Sequence, residues 1–224
     1  MENSNDEAIS TYIESLEKEL LACLSEYALS IYHTVIDYAK HDGFYANKLI
    51  KNIMFAEAER DIALYIKANL PIETKICEVG MGCGQLCILL AAMGYQVIGC
   101  DSSIPRCNAA FHLRQAIGKT NAQVLNNFTV VQGQYPTAVN STEFDLLITT
   151  NIINGWWDSQ PGTEQEKLDF FVQRKSIILD TRTWWVHRPE PEQQTAVVNS
   201  LAAPNYYNIN KIDTSCYAFM RKAS

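Results

Sequence analysis

The sequence predicts an α/β domain, and three observations carry that prediction. Between Lys75 and Ser103 it reads KICEVGMGCGQLCILLAAMGYQVIGCDSS, an apolar strand, a glycine turn, an apolar helix and a second strand. Further short β-rich runs follow at Phe128–Gln132, Phe144–Thr150 and Ser176–Asp180, with helical stretches between them. The chain has 224 residues, which suits one such domain with an appendage rather than two full domains.

Taken in order, residues 1 to about 70 read as helical. Ile9, Tyr12, Ile13, Leu16, Leu20 and Leu24 recur at three- and four-residue steps with Glu and Lys between them, so an amphipathic helix is expected from about Glu7. A second apolar series, Ala28, Ile31, Tyr32, Val35, Ile36 and Tyr38, continues it or follows a bend. His41 to Phe44, HDGF, is a loop signal, and two further helices, Tyr45–Met54 and Ala56–Ala68, bring the chain to Pro71.

The central unit has a physical logic. Ile76, Cys77 and Val79 suit a buried strand that breaks at Gly80, Gly82 and Gly84. Glycine tolerates positive φ and carries no Cβ, so backbone there can lie against a ligand at the positive end of the helix that follows. That helix is expected over Gln85–Met93, with Gly94 at its C-cap, and the next strand, Tyr95–Cys100, ends on Asp101. An acid at the carboxyl end of the neighbouring strand is placed to accept from ribose hydroxyls. The unit reads as a nucleoside-binding half.

The glycine spacing separates one kind of nucleoside from another. A dinucleotide fingerprint needs a third glycine where this chain has Gln85. The residues run instead Glu78-x-Gly80-x-Gly82-x-Gly84, followed by Asp101, and so resemble the first motif of the class I S-adenosylmethionine-dependent methyltransferases. The resemblance implies a Rossmann-like seven-stranded sheet, mostly parallel with an antiparallel last strand, flanked by helices. It divides the chain into an N-terminal helical cap, residues 1–70, and a methyltransferase-like domain, residues 71–224. It implies S-adenosyl-L-methionine as cofactor, with Glu78 near its amino-acid end, the turn Gly80, Met81, Gly82, Cys83 and Gly84 beneath its methionine part, and Asp101 with Ser102 at the ribose. Gln134 falls where many members of the family hold an adenine-binding acid, and its amide oxygen can accept from the same amine.

The remaining elements close the pattern. Ser102-Ser103-Ile104-Pro105 opens a helix with a serine cap and an early proline, ending near Gly118. Asn121–Asn127 is a polar stretch, then come strand Phe128–Gln132 and a turn at Gly133 to Pro136. After strand Phe144–Thr150 the run Asn151-Ile-Ile-Asn154-Gly-Trp156-Trp157-Asp158 is rich in aromatic and amide groups. In the resembled fold this tip lies beside the transferable methyl, which makes Asn151 a cofactor contact and Asn154, Trp156 and Trp157 acceptor contacts, with Asp158 as orienting group or base. The prolines that follow such an Asn in the amino-methyltransferases of nucleic acids are missing. A helix over residues 162–173 precedes strand Ser176–Asp180, and a second aromatic run, Trp184 to Arg188, carries His187, which titrates in the range of a general base. Trp184 and Arg188 join the acceptor set. Tyr45, with Phe44 and Phe55, either walls the active site as a catalytic group or packs between helices. A helix over residues 192–201 and two alternating strands, Tyr206–Ile212 and Ser215–Arg221, complete the chain.

Composition narrows the function classes. A net charge of −7 argues against a sequence-independent grip on nucleic acid. Seven cysteines, an odd count with no C-x-x-C pair, read as reduced core residues of a cytoplasmic protein, with no metal site expected. His33 and His41 carry no metal-ligand spacing. The polar N-terminus lacks the pattern of a signal peptide, and no run reaches the roughly 18 apolar residues of a membrane span. The reading is a cytoplasmic enzyme that methylates O, N or S of a small molecule. A protein or nucleic-acid methyltransferase and a non-catalytic binding module are the alternatives, and the first helix serves a homodimer as readily as a lid.

Overall fold

The computed structural model describes residues 7–18, 57–134, 138–139, 144–150, 176–180, 207–212 and 216–221. Numbered along those residues, the helices are α1 (residues 7–18), α2 (Glu57–Asn69), α3 (Gln85–Ala92), α4 (Ile104–Ile117) and α5 (Ala122–Asn127). The strands are β1 (Lys75–Val79), β2 (Gln96–Asp101), β3 (Phe128–Gln132), β4 (Leu146–Thr149), β5 (Ser176–Asp180), β6 (Tyr207–Lys211) and β7 (Cys216–Arg221).

The strands form one seven-stranded sheet in the order β3-β2-β1-β4-β5-β7-β6. From β1 the chain steps outward to β2 and β3, then returns across the sheet to β4 on the other side of β1. Strand order therefore reverses beside β1. In open α/β sheets the helices on either side of such a point diverge and leave a crevice at the carboxyl ends of the strands. β7 runs antiparallel to both β5 and β6, so the expected mostly parallel sheet with a reversed last strand is what forms.

Beyond the exposed Lys75 at its start, β1 is buried throughout and apolar except at Glu78, as a strand covered on both faces should be. Ile76, Leu146, Ile148, Ile178 and Ala218 join one buried cluster with Leu86, Ile88, Leu89 and Leu90 of α3. Every residue of α3 is buried, which explains why this helix shows no polar face: it packs against α2, α5 and β2. Its C-terminus closes as a Schellman motif, with Gly94 N–H donating to Ala91 O at 3.0 Å and Tyr95 N–H to Leu90 O at 3.1 Å.

The first helix contributes to the same core. Ile9, Ile13 and Leu16 lie in the cluster with Ile62 and Ile66 of α2, while Tyr12, on the flank, donates its hydroxyl to Ala92 O at 2.8 Å. Glu17 pairs with Arg60. The apolar stripe of α1 is thus occupied within the chain, each fully buried aliphatic side chain contributing about 1.5–3 kcal/mol.

Two local expectations need correction. Ser103 occupies the N-cap position of α4, but its hydroxyl makes no cap bond; its N–H donates instead to Asp101 Oδ1 at 2.8 Å. The polar stretch Asn121–Asn127 contains a short helix, because Asn121 Oδ1 accepts from Gln123 N–H at 3.1 Å and Val124 is buried. Leu20, Leu24, the series 28–38, the loop at His41–Phe44 and the helices expected at 45–54, 162–173 and 192–201 lie outside the described residues.

Candidate functional site

The site assembles where β1, β2 and β4 end. The β1–α3 turn is sewn to the end of β2: Gly80 and Met81 N–H groups both reach Cys100 O, at 2.7 and 3.2 Å. Gly80, Gly82 and Gly84 all take left-handed φ, of 71°, 59° and 77°, and Gly84 is the N-cap of α3. A Cβ on Gly84 would stand 2.9 Å from Phe128 Cζ and 3.2 Å from Ala110 Cβ, so the helix start lies directly on β3 and α4.

Asp101 is the knot of this arrangement. Its Oδ2 accepts from Gly82 N–H at 3.1 Å, its Oδ1 from Ser103 N–H, and Arg106 Nη1 stands 3.7 Å from Oδ2. The residue is 5% exposed. A carboxylate has about four lone-pair sites, and two backbone donors leave room for two hydroxyls. The Asp101 main-chain oxygen accepts from Gly133 N–H at 2.9 Å and from Cys107 Sγ at 3.3 Å, which ties the β3 exit and α4 to the same point.

Glu78 lies one strand away and is 2% exposed. Thr150 Oγ1 donates to its Oε1 at 3.1 Å and Cys87 Sγ to its Oε2 at 3.0 Å. Burial pushes its carboxyl up from 4.5 to about 7; the Cys87 and Thr150 hydrogen bonds act downward and the negative charges of Glu59 and Asp101 upward. The neighbouring thiols are pushed up as well, by burial first: Cys87 by burial and by Glu78, Cys107 by burial and by Asp101, and Cys100 to about 11. They are neutral packing groups at physiological pH. Among the described residues no group of three His, Cys, Asp or Glu side chains could hold a metal ion.

The expected cofactor residues fall around this point in different ways. Glu78, Gly80, Gly82, Gly84 and Asp101 gather at the strand ends, Cys83 is half-buried in the turn, and Ser102 and Gln134 are exposed on the flanking loops. Met81 buries its side chain in the core, where Gly99 makes space: a Cβ at Gly99 would collide with Met81 Sδ and lie 2.8 Å from Cys87 Sγ. Asn151, Asn154, Trp156, Trp157, Asp158, Trp184, His187, Arg188 and Tyr45 lie outside the described residues, as do Phe44, Phe55, His33, His41 and Cys23.

Three partners in the site were not anticipated from sequence. Thr150 could have been noticed as a hydroxyl at the tip of an apolar strand. Arg106 stands in the first turn of α4, where a cation opposes the helix dipole, and that misfit signals a nearby acid. Cys87 gave no signal within an apolar helix.

No family model matches the sequence, and no curated protein matches it. Solved structures do resemble it. Magnesium protoporphyrin IX methyltransferase from Synechocystis PCC 6803, with bound SAM, aligns at TM-score 0.54 and 17% identity, over 83% of this chain and 95% of that one. A Methanococcus maripaludis protein assigned to the S-adenosyl-L-methionine-dependent methyltransferases aligns at TM-score 0.55 and 16% identity, over 80% and 92%. The methyltransferase domain of bacterial CtHen1 aligns at TM-score 0.50 and 13% identity, over 73% and 97%. The chain therefore has the fold of the class I S-adenosylmethionine-dependent methyltransferases.

Proposed function

We propose that this chain is an enzyme that transfers a methyl group from S-adenosyl-L-methionine to O, N or S of a small-molecule acceptor. The observation that carries the reading is Asp101: a buried carboxylate at the carboxyl end of β2, locked to the Gly82 N–H of the turn and retaining free acceptor sites. The residues fit the cofactor by their chemistry. Asp101 suits two ribose hydroxyls, Glu78 suits an ammonium group, and a turn of glycines at positive φ leaves backbone open beside them.

When bound, S-adenosyl-L-methionine supplies a methyl on a sulfonium, a leaving group that needs no further activation. The chain's work is then to hold that group, align the acceptor and take up a proton. Holding falls to Glu78, the turn and Asp101, with Gln134 and Asn151 completing the contacts. Acceptor alignment falls to Asn154, Trp156, Trp157, Trp184 and Arg188, and proton uptake to Asp158, His187 or Tyr45. The net charge of −7 favours a small acceptor over a nucleic acid. Cysteines outside any disulfide, Cys87, Cys100 and Cys107 among them, support a reducing, cytoplasmic setting. Residues 1–70 act as the cap, and a homodimer would use a surface other than the buried stripe of α1.

Calorimetric titration of the full chain with S-adenosyl-L-methionine and S-adenosylhomocysteine tests the reading. Micromolar binding supports it. A folded protein that binds neither would overturn it and leave a non-catalytic module.

A further inference from the structure

Glu78 and Thr150 meet across the seam where strand order reverses. In the β1–β4 register Glu78 stands beside Ile148, so Thr150, two residues on, is on the same sheet face and just past the strand end. Its hydroxyl closes on Glu78 Oε1, while Cys87 offers Oε2 a thiol, the weaker donor. Both side chains are buried, Thr150 at 8% exposure.

We propose that Thr150 is a positioning residue for the cofactor: its hydroxyl fixes the Glu78 carboxyl beside the glycine turn and holds it as an anion for the ligand's ammonium group. The inference rests on the reading of the site as an S-adenosyl-L-methionine site. Among the described residues, the groups that face Glu78 do not supply a positive charge. Glu59 of α2 and Asp101 of β2 are acids, the latter already beside Arg106, and Cys87 of α3 is a thiol. The carboxyl of the free protein is therefore near half-protonated at neutral pH, and Thr150 and Cys87 are the side chains that favour its anion. Binding of a cation beside it expels the remaining proton. Affinity rises with pH as a result, and Thr150 sets where.

The experiment is titration of the full chain with S-adenosylhomocysteine between pH 6 and 8.5, each pH in two buffers of different ionisation enthalpy, on wild type, Thr150→Val and Thr150→Ser. The wild type should release a fraction of a proton on binding near pH 6.5 and bind more tightly as pH rises. Thr150→Val should bind about tenfold more weakly than wild type at pH 6 and come within about twofold at pH 8.5, the loss of one hydrogen bond to a charged group. Thr150→Ser, which restores the hydroxyl, should follow the wild type; this arm holds even if valine disturbs the fold. A Thr150→Val profile parallel to wild type, whether unchanged or equally weak at every pH, overturns the positioning role. A wild type that binds no ligand at any pH overturns the site reading itself, a result distinct from either profile.

Discussion

The Gly82 N–H donates to Asp101 Oδ2 at 3.1 Å, so the acid at the end of β2 is also the clasp of the β1–α3 turn. One carboxylate shapes the site and offers itself to a ligand. Asp101→Asn separates the roles in part, because the amide keeps the shape and one acceptor oxygen but loses the charge. Affinity for S-adenosylhomocysteine is expected to fall by about 1–3 kcal/mol, measured by calorimetry. Asp101→Ala should lose the same binding and also lower the thermal midpoint, since Gly82 and Ser103 N–H groups lose their acceptor.

Glu78 predicts a pH-dependent stability. Its carboxyl titrates near 7 in the folded chain against 4.5 for an ordinary glutamate, so the folded state favours the protonated form. That contribution is complete below pH 4.5 and is lost as pH rises through about 7. Glu78→Gln, neutral at every pH, should match the wild type near pH 4.5 and exceed it above pH 7, by on the order of 3 kcal/mol. Urea unfolding at pH 5 and pH 8 checks both the direction and the plateau.

Gly99 tests the packing beneath the turn. Its backbone is ordinary strand, so alanine adds no φ strain there, only a Cβ driven against Met81 Sδ, Cys87 Sγ and Phe128. Gly99→Ala is expected to destabilise the protein by about 1–3 kcal/mol at unchanged m-value. Denaturant unfolding gives both quantities.

Cysteine labelling reports on the turn directly. Among the described cysteines Cys83 is half-buried and Cys77, Cys87, Cys100, Cys107 and Cys216 are buried. Brief alkylation at pH 8 followed by peptide mass spectrometry should find Cys83 modified ahead of those five, Cys100 being held back further by a thiol that titrates near 11. Saturating S-adenosylhomocysteine should slow modification of Cys83 at least severalfold. Equal rates with and without ligand would separate Cys83 from the binding surface.

The features legible along the chain are local in origin. The period of apolar residues gave α1 its buried Ile9, Ile13 and Leu16, and short apolar runs between breakers gave β3 and β5 the bounds they have. Gly80, Gly82 and Gly84 announced a turn because only glycine takes all three left-handed conformations without strain. The acid at the end of β2 was legible for the same reason, since strand length alone sets its place. Which distant side chains meet follows from the packing of the sheet and its helices. Thr150 and Glu78 are 72 positions apart, and nothing in either neighbourhood announces the other. Met81 reads as a turn residue, yet Gly99 across the strand opens the hole that takes its side chain into the core. The Asn121–Asn127 stretch looks polar, yet Val124 and Phe128 are buried beside it and hold a helical turn in place. Hydrophobic period and glycine geometry act within a few residues, whereas strand register and buried hydrogen bonds join distant segments, and those are fixed only when the sheet closes.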